Sequence, residues 1–298
     1  MIFQKGHALM QGVVAAVPTP VDGSYTPMKD PFLEHCGWVL RNGCNGINVL
    51  GSTGEANSLD AAARRDVMTW AASAFPKEKL MVGTGTPSLK ETIALTEHAD
   101  DLGYPIALVL PPYYYKPATP SGLKSWYLAL HDALGPRAIK IYFYNFPQMT
   151  GITIPVDVIA DLASIATDRF SGIKDSSGNL DYCRSIVAAS PALRVFPSSE
   201  TALQTAFKDG FAGCISATLN HTTSLAAEIW ANSEAPPQAA CEEIARQRGL
   251  LAGPELIPGI KYLVGERSGN TEWRRVLPPF LTLSEDAGAV LKRSLSTD

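Results

Sequence analysis

Eight short apolar segments recur along most of the chain, separated by stretches with helical spacing. The segments read VVAAVPTP, GINVLG, LMVGTG, IALVLPP, AIKIYFYNF, FSGIKD, LRVFPSS and GCISAT. They are almost continuously apolar rather than alternating, which is typical of parallel strands covered on both faces. Eight such units about 25 to 30 residues apart predict a closed (β/α)8 barrel rather than an open sheet. No G-x-G-x-x-G motif follows the first strand, which argues against a dinucleotide-binding fold.

The end of the chain has a different pattern. From about residue 220 the sequence predicts helices interrupted by prolines, among them QAACEEIARQRGLLAG, LIPGIKYLVGERSG and SEDAGAVLKRSL. We therefore expect residues 1–220 to form the catalytic barrel region and residues 221–298 to form the last barrel helix and a helical extension. Because no linker or low-complexity segment separates these regions, the sequence predicts that they belong to one domain unit.

Composition and charge narrow the possible partners. The net charge is −4 and there is no basic cluster, which argues against nucleic acid. The apolar run near the N-terminus is too short to span a membrane and lacks a signal-peptide layout, so we expect a cytoplasmic protein without a membrane partner. The five cysteines form no C-x-x-C pair and the five histidines are scattered. This pattern favours reduced thiols and gives no reason to propose a metal or a bound cofactor.

Barrel enzymes carry their chemistry at the carboxyl ends of the strands. The predicted ends carry Ser52 and Thr53 after strand two, Tyr113, Tyr114 and Tyr115 after strand four, Tyr144 and Asn145 on strand five, Lys174 on strand six, and Ser198, Ser199 and Glu200 after strand seven. A candidate nucleophile, a phenol and small hydroxyl donors therefore meet on one rim. Taken singly, each feature has a plainer interpretation. GSTGE is a common glycine-rich turn, the tyrosines can pack at the rim, a lone lysine is usually solvated, and Glu55 fits a structural role.

Three motifs in this order resemble the superfamily of dihydrodipicolinate synthase and N-acetylneuraminate lyase. They are GSTGE, YNFPQMTG and GIKDSSG, and the similarity covers essentially the whole chain. This superfamily comprises pyruvate-dependent aldolases, synthases and dehydratases that form a Schiff base with their substrate. The resemblance implies a (β/α)8 barrel, a homotetramer built as a dimer of dimers, a small 2-keto acid as substrate, and no cofactor beyond the covalent Schiff base.

The resemblance also implies roles for particular residues. Lys174 matches the Schiff-base lysine, and Tyr144 matches the tyrosine that shuttles protons at the reacting carbons. Ser52 and Thr53 match the pair that binds the carboxylate of the keto acid. Tyr114, or alternatively Tyr113, matches the tyrosine that one subunit lends to its neighbour's site. We expect the substrate also to contact Ser176, Ser198 and Glu200.

The chemistry of this class suits these residue types. A lysine attacks a ketone only as the free amine, the form that desolvation favours. The resulting iminium withdraws electrons, so the bond between C3 and C4 can break. A phenol within hydrogen-bond reach can take the proton of the C4 hydroxyl and later deliver one. Capture of the carboxylate fixes the keto acid with its C2 facing the amine.

Local differences select a branch of the superfamily. Met149 stands where the synthase branch has an arginine that holds a second carboxylate, and FPSSETAL stands where sialic acid lyases show a GYDE-like segment. The greatest local similarity is to 2-keto-3-deoxygluconate aldolases, through YNFP, Thr150-Gly151, GTG and ETIALTEHA. The predicted rim carries no cluster of arginines or lysines that could form a phosphate pocket, which favours an unphosphorylated substrate.

We therefore expect reversible cleavage of an unphosphorylated 2-keto-3-deoxy sugar acid, such as 2-keto-3-deoxygluconate, to pyruvate and an aldehyde. A sugar-acid dehydratase and a dihydrodipicolinate synthase on the same scaffold remain alternatives. A non-catalytic protein that binds keto acids is a hypothesis of a different class.

Overall fold

Eight parallel strands form a nearly closed barrel, which confirms the predicted (β/α)8 fold. The structure is a computed structural model that describes residues 10–117 and 119–296. The strands are β1 (Gly12–Ala16), β2 (Gly46–Val49), β3 (Leu80–Gly83), β4 (Ile106–Val109), β5 (Lys140–Asn145), β6 (Phe170–Asp175), β7 (Arg194–Pro197) and β8 (Gly213–Ser216). Each strand pairs with the next along the chain up to β7, and β8 pairs with β1. β7 packs beside β8, so the two ends of the sheet meet.

Helices follow the strands and surround the barrel. In the described part of the chain they are α1 (Lys29–Arg41), α2 (Ala61–Ala74), α3 (Leu89–Asp101), α4 (Pro120–Leu134), α5 (Pro147–Thr150), α6 (Val156–Ile165), α7 (Leu180–Ala189), α8 (Ala206–Asp209), α9 (Leu219–Ala231), α10 (Gln238–Leu251), α11 (Leu256–Ser268) and α12 (Glu285–Leu295). Side-chain caps fix several starts: Asp60 accepts from the N–H of Ala63, and Ser88 accepts from that of Glu91.

Both faces of the strands are buried, which explains why the strands are apolar throughout. On β1, Val13 and Ala15 pack in the layer between strands and helices, whereas Val14 and Ala16 point into the barrel. The barrel interior also contains Met81, Leu108, Tyr142, Tyr144, Phe196 and Ile215. The interior is therefore a packed core. Its layer nearest the carboxyl ends of the strands forms the bottom of any site at that end of the barrel.

Two ion pairs join the C-terminal helices to the loops of the barrel. Lys261 of α11 is fully buried and pairs with Glu55, which follows β2 and also accepts from the N–H of Leu277 at 2.6 Å. Burial lowers the pKa of Lys261, and the carboxylate of Glu55 opposes that shift. Arg248 of α10 donates to Glu200 after β7 at 2.8 Å. The structural role predicted for Glu55 is thus confirmed, and the single unit predicted for 1–220 and 221–298 stays a prediction that these contacts support.

The structure also bears on the predictions about thiols, metal sites and membrane spans. All five cysteines are free and buried. Among residues 10–117 and 119–296, no cluster of three or more His, Cys, Asp or Glu side chains could hold a metal ion. None of the helices in those ranges is long and apolar enough to cross a membrane. The predicted cytoplasmic location and the absence of a nucleic-acid partner stay predictions.

Candidate active site

The ends of β2, β5 and β6 bring three of the predicted residues together. Tyr144 and Lys174 are paired neighbours on β5 and β6. Nζ of Lys174 lies 4.6 Å from the centroid of the Tyr144 ring, and the hydroxyl of Tyr144 lies 3.2 Å from Oγ of Ser52. Lys174 is only 3% exposed, so it is not the solvated strand-end lysine of the plainer interpretation.

The turn after β2 holds Ser52 in place by a strained backbone. Leu50 and Glu55 flank it with φ angles of 56° and 52°, a left-handed conformation that is costly for residues other than glycine. The N–H of Glu55 donates to the carbonyl of Ser52 at 3.0 Å. Gly83 on β3 is needed beside this turn, because a Cβ there would lie 2.1 Å from the carbonyl oxygen of Leu50. Thr53, which follows Ser52, is buried in the same turn.

A hydrogen-bond network fastens the ends of β5 and β6 to each other. Nδ2 of Asn145 donates to Asp175 at 2.7 Å, and Oδ1 of Asn145 accepts from the N–H of Ile154 at 3.0 Å. The hydroxyl of Ser177 donates to Asp175 at 2.7 Å. Burial raises the pKa of Asp175, and the hydrogen bonds from Asn145 and Ser177 oppose that shift.

This network supports the active-site pair, although the sequence analysis assigned it no role. Asn145 directly follows Tyr144, and Asp175 directly follows Lys174. Because the two strands are paired in register, a bond between Asn145 and Asp175 also fixes the spacing of the residues before them. The signal available in the sequence was an amide and a carboxylate at equivalent ends of neighbouring strands.

Ser176 after β6 and Ser198 after β7 lie beside the predicted catalytic residues, and their backbone groups bond to neighbouring strands. Ser176 and Ser198 are half-buried, and their N–H groups donate to the carbonyls of Asn145 and Asp175 at 2.8 Å. They therefore continue the rim next to Lys174. Their contact with substrate stays a prediction.

Glu200 is fully buried and its carboxylate is already engaged. It accepts hydrogen bonds from Ser216, Thr218, Thr222 and Arg248. The sequence analysis missed this network because its members come from β8, α9 and α10. A direct contact between Glu200 and substrate stays a prediction, and it would require displacing one of these donors.

The tyrosines after β4 differ in exposure. Tyr114 and Tyr115 are 74% and 84% exposed, and their rings pack edge to face with centroids 5.1 Å apart. Tyr113 is half-buried, and burial raises the pKa of its phenol. A cavity of about 210 Å³ opens next to Ser52, and it is lined by Leu110, Tyr113, Met149, Thr150, Ile257 and Phe280 among others. Within the subunit, the structure thus leaves Tyr114 on the surface and brings Tyr113 and Met149 beside the site.

The fold and the candidate site are those of a (β/α)8 barrel with a buried lysine and a tyrosine at the carboxyl ends of its strands. The chain belongs to the dihydrodipicolinate synthetase family, whose model matches residues 9–297. Members of this family are pyruvate-dependent lyases and synthases, and they use a Schiff base between pyruvate and a lysine. The predicted enzyme class is confirmed. The 2-keto-3-deoxygluconate aldolase branch is not.

Individual relatives agree with this family assignment. An "Uncharacterized DapA-like lyase" of Chloroflexus aurantiacus is 30% identical over 289 residues, which are 95% of either chain. A 4-hydroxy-tetrahydrodipicolinate synthase of Rhodospirillum centenum is 30% identical and covers 97% of this chain and 100% of its own. The crystal structure of dihydrodipicolinate synthase from Agrobacterium tumefaciens superposes with a TM-score of 0.87 at 25% identity, over 96% of this chain and 98% of that one.

Replacing Asn145 by Ala should destabilise the protein by about 1–3 kcal/mol, because it leaves Oδ1 of the buried Asp175 carboxylate without its donor, while Ser177 still donates to Oδ2. The loss should depend on pH. The pKa of Asp175 in the folded state lies above its ordinary value of 3.8, so the folded protein binds this proton more tightly and stability falls as the pH rises above that value. Asn145→Ala raises this pKa further.

The destabilisation by Asn145→Ala should therefore be larger at about pH 7 than at about pH 4. Urea unfolding of the wild type and of Asn145→Ala at both pH values measures this difference in the free energy of unfolding. Asn145→Asp is not a suitable variant, because it would place a second charge beside Asp175. Equal losses at the two pH values would show that Asn145 does not stabilise the ionised form of Asp175.

Proposed function

We propose that this chain is a Schiff-base lyase that cleaves a 2-keto-3-deoxy sugar acid, such as 2-keto-3-deoxygluconate, reversibly to pyruvate and an aldehyde. The observation that carries the proposal is the buried amine of Lys174, 4.6 Å from the ring of Tyr144, whose hydroxyl meets Ser52 at 3.2 Å. A nucleophile, a proton carrier and a hydroxyl that orients the carrier are thus adjacent. The pyruvate dependence of the family supports the same chemistry.

The reaction begins when Nζ of Lys174 attacks C2 of the keto acid and water leaves to give an iminium. Tyr144 supplies and recovers the protons of these steps. Its phenolate form then takes the proton of the C4 hydroxyl, and the electrons of the C3–C4 bond move into the iminium. The aldehyde leaves, the enamine is protonated at C3, and water releases pyruvate and the free amine. Backbone N–H groups and hydroxyls of Ser52 and Thr53 hold the carboxylate throughout.

The cavity next to Ser52 supports a substrate with an uncharged, hydroxylated tail. No lysine or arginine is among its lining residues, and the carboxylate of Glu55 is paired with Lys261. Met149 is 61% exposed and cannot bind a second carboxylate. Asn57, Ser58 and Thr150 offer amide and hydroxyl groups that can bind sugar hydroxyls. These features favour a sugar acid over aspartate semialdehyde and over a phosphorylated substrate.

The test of substrate class is a panel of 3-deoxy-2-keto sugar acids, with released pyruvate and dehydrated product measured in parallel. We expect pyruvate release, and we expect poor condensation of pyruvate with aspartate semialdehyde. Met149→Arg should raise that condensation slightly, because it supplies a cation for the second carboxylate. Efficient condensation by the wild type would assign the chain to the synthase branch. Dehydrated product without pyruvate would make it a dehydratase.

The roles of Lys174 and Tyr144 can be separated by trapping with borohydride in the presence of pyruvate. The wild type should gain a pyruvyl-derived mass at Lys174, and Lys174→Ala should give neither adduct nor turnover. Tyr144→Phe keeps the ring and removes only the hydroxyl. We expect its turnover to fall at least about a hundredfold, while the adduct still forms slowly.

Intact mass and peptide mapping check the trapping experiment, with circular dichroism as the control for folding. An adduct mapped to Lys116 or Lys140 would refute the assignment of Lys174. Near-normal turnover of Tyr144→Phe would leave Tyr144 as a packing residue. If no adduct forms in the wild type while keto acids still bind, the chain is a non-catalytic binding protein.

We further propose a homotetramer in which Tyr114 completes the site of a neighbouring subunit. The exposure of Tyr114 and Tyr115, two large aromatic side chains on one loop, supports a protein partner at this surface. Tyr114→Phe should lower turnover more than pyruvate binding, whereas Tyr115→Phe is the matched control with little effect. Light scattering measures the assembly, and a fully active monomer would contradict the proposal.

A further inference from the structure

Asn48 is a buried amide in the middle of an apolar strand. It lies on β2 between Ile47 and Val49, pairs with Ala16 and Met81 of the neighbouring strands, and has no exposed surface. Neither Nδ2 nor Oδ1 has a hydrogen-bond partner among residues 10–117 and 119–296. An unpartnered buried amide costs free energy, so such a group needs a reason to be there.

Other buried asparagines of this chain are satisfied. Asn145 uses its amide to join Asp175 and the backbone of the next segment. Asn220 donates to the carbonyl of Ala16 at 2.7 Å and lies 2.7 Å from Nε2 of His35. Both therefore have structural roles that are visible in the protein alone. Asn48 has no such role within the described residues.

The position of Asn48 points to the candidate site. Ile47 and Val49 pack in the outer layer of the core, so the alternation of the strand turns Asn48 into the barrel, on the side that also contains Tyr144. Its amide is adjacent to Gly51, because a Cβ on Gly51 would lie 2.6 Å from Nδ2. Gly51 begins the turn that carries Ser52. The amide thus lies beneath the turn to which we assign the carboxylate of the keto acid.

We propose that Asn48 is a substrate-binding residue that donates a hydrogen bond through Nδ2 to the carboxylate of the bound 2-keto acid. This inference rests on the proposed function. A carboxylate has four acceptor sites, more than the Ser52 and Thr53 turn need fill, and a hydrogen bond to a charged acceptor is stronger than one between neutral groups. The ligand-free protein leaves Nδ2 without an acceptor, and the carboxylate of the bound keto acid supplies one.

One variant, Asn48→Leu, should change stability and pyruvate binding in opposite directions. Asn48→Leu has nearly the same size and removes the unpartnered polar group. The ligand-free variant should melt about 2–4 °C higher than the wild type. The pyruvate concentration that gives half-maximal borohydride adduct should rise at least about tenfold, with the adduct still at Lys174. A residue with a structural role would give the opposite result for stability and no change in binding.

Tyr142→Phe is the matched control. The hydroxyl of Tyr142 is also buried in the barrel without a partner among the described residues. A Cβ on Gly172 would lie 2.6 Å from Cζ of Tyr142, and Gly172 pairs with Arg194, the first residue of β7, so the phenol ring lies toward the amino ends of the strands and away from the proposed site. Removing it should raise the melting temperature and leave the pyruvate dependence of trapping unchanged.

Several results would overturn the proposal. An Asn48→Leu variant with wild-type pyruvate dependence, or one that melts below the wild type, would show that the amide is satisfied independently of the ligand. If Asn48→Leu does not fold, Asn48→Val is measured in the same way, and failure of both identifies a structural amide.

A second measurement keeps this inference distinct from the proposed function. In the Lys174→Ala background no adduct forms, so the rise in melting temperature with added pyruvate reports non-covalent binding alone. Asn48→Leu should reduce that rise. If the wild type forms no adduct but pyruvate still stabilises Lys174→Ala in an Asn48-dependent way, the lyase proposal fails and the role of Asn48 stands. If the adduct forms normally and Asn48→Leu changes neither readout, only the role of Asn48 is lost.

Discussion

The parallel pairing of β5 with β6 is the constraint on which the candidate site depends. Register places Tyr144 beside Lys174, and the closed barrel turns both side chains inward. The bond between Asn145 and Asp175, one residue further along each strand, prevents the two ends from separating. Small displacements of reacting groups cost rate steeply, so a site built on paired strands is better held than one built on loops.

Two lysines are buried among residues 10–117 and 119–296, and their surroundings differ. Lys261 pairs with the carboxylate of Glu55, and through that pair it fastens α11 to the turn after β2. For Lys174, no carboxylate within the described ranges comes within 4.0 Å of Nζ, which faces the Tyr144 ring. An ion pair would occupy the amine that has to attack a ketone. The paired lysine therefore serves architecture, and the lysine without a carboxylate partner serves the proposed chemistry.

Sequence patterns predicted the barrel well because each strand is apolar on both faces, and this is a local property of the chain. They also predicted that Ser52, Tyr144 and Lys174 meet, since the carboxyl ends of parallel strands share one rim. They did not predict the partners of Glu200. Arg248 lies 48 residues further along the chain, and no periodicity specifies which distant side chains hydrogen-bond.

Asn48 was visible as a polar residue inside GINVLG, but the sequence does not tell whether a buried amide finds a partner. The structure places three costly features around one turn: the left-handed Leu50 and Glu55, and the unpartnered Asn48 beneath them. Local rules that a sequence breaks without compensation within the fold are expected at functional sites. The buried pair with Lys261 holds the side chain of Glu55 in this turn, whereas nothing in the described residues accepts from Nδ2 of Asn48. A ligand that carries its own acceptor would complete that hydrogen bond, which is the physical basis of the proposal that the turn after β2 and Asn48 hold a keto-acid carboxylate from above and from below.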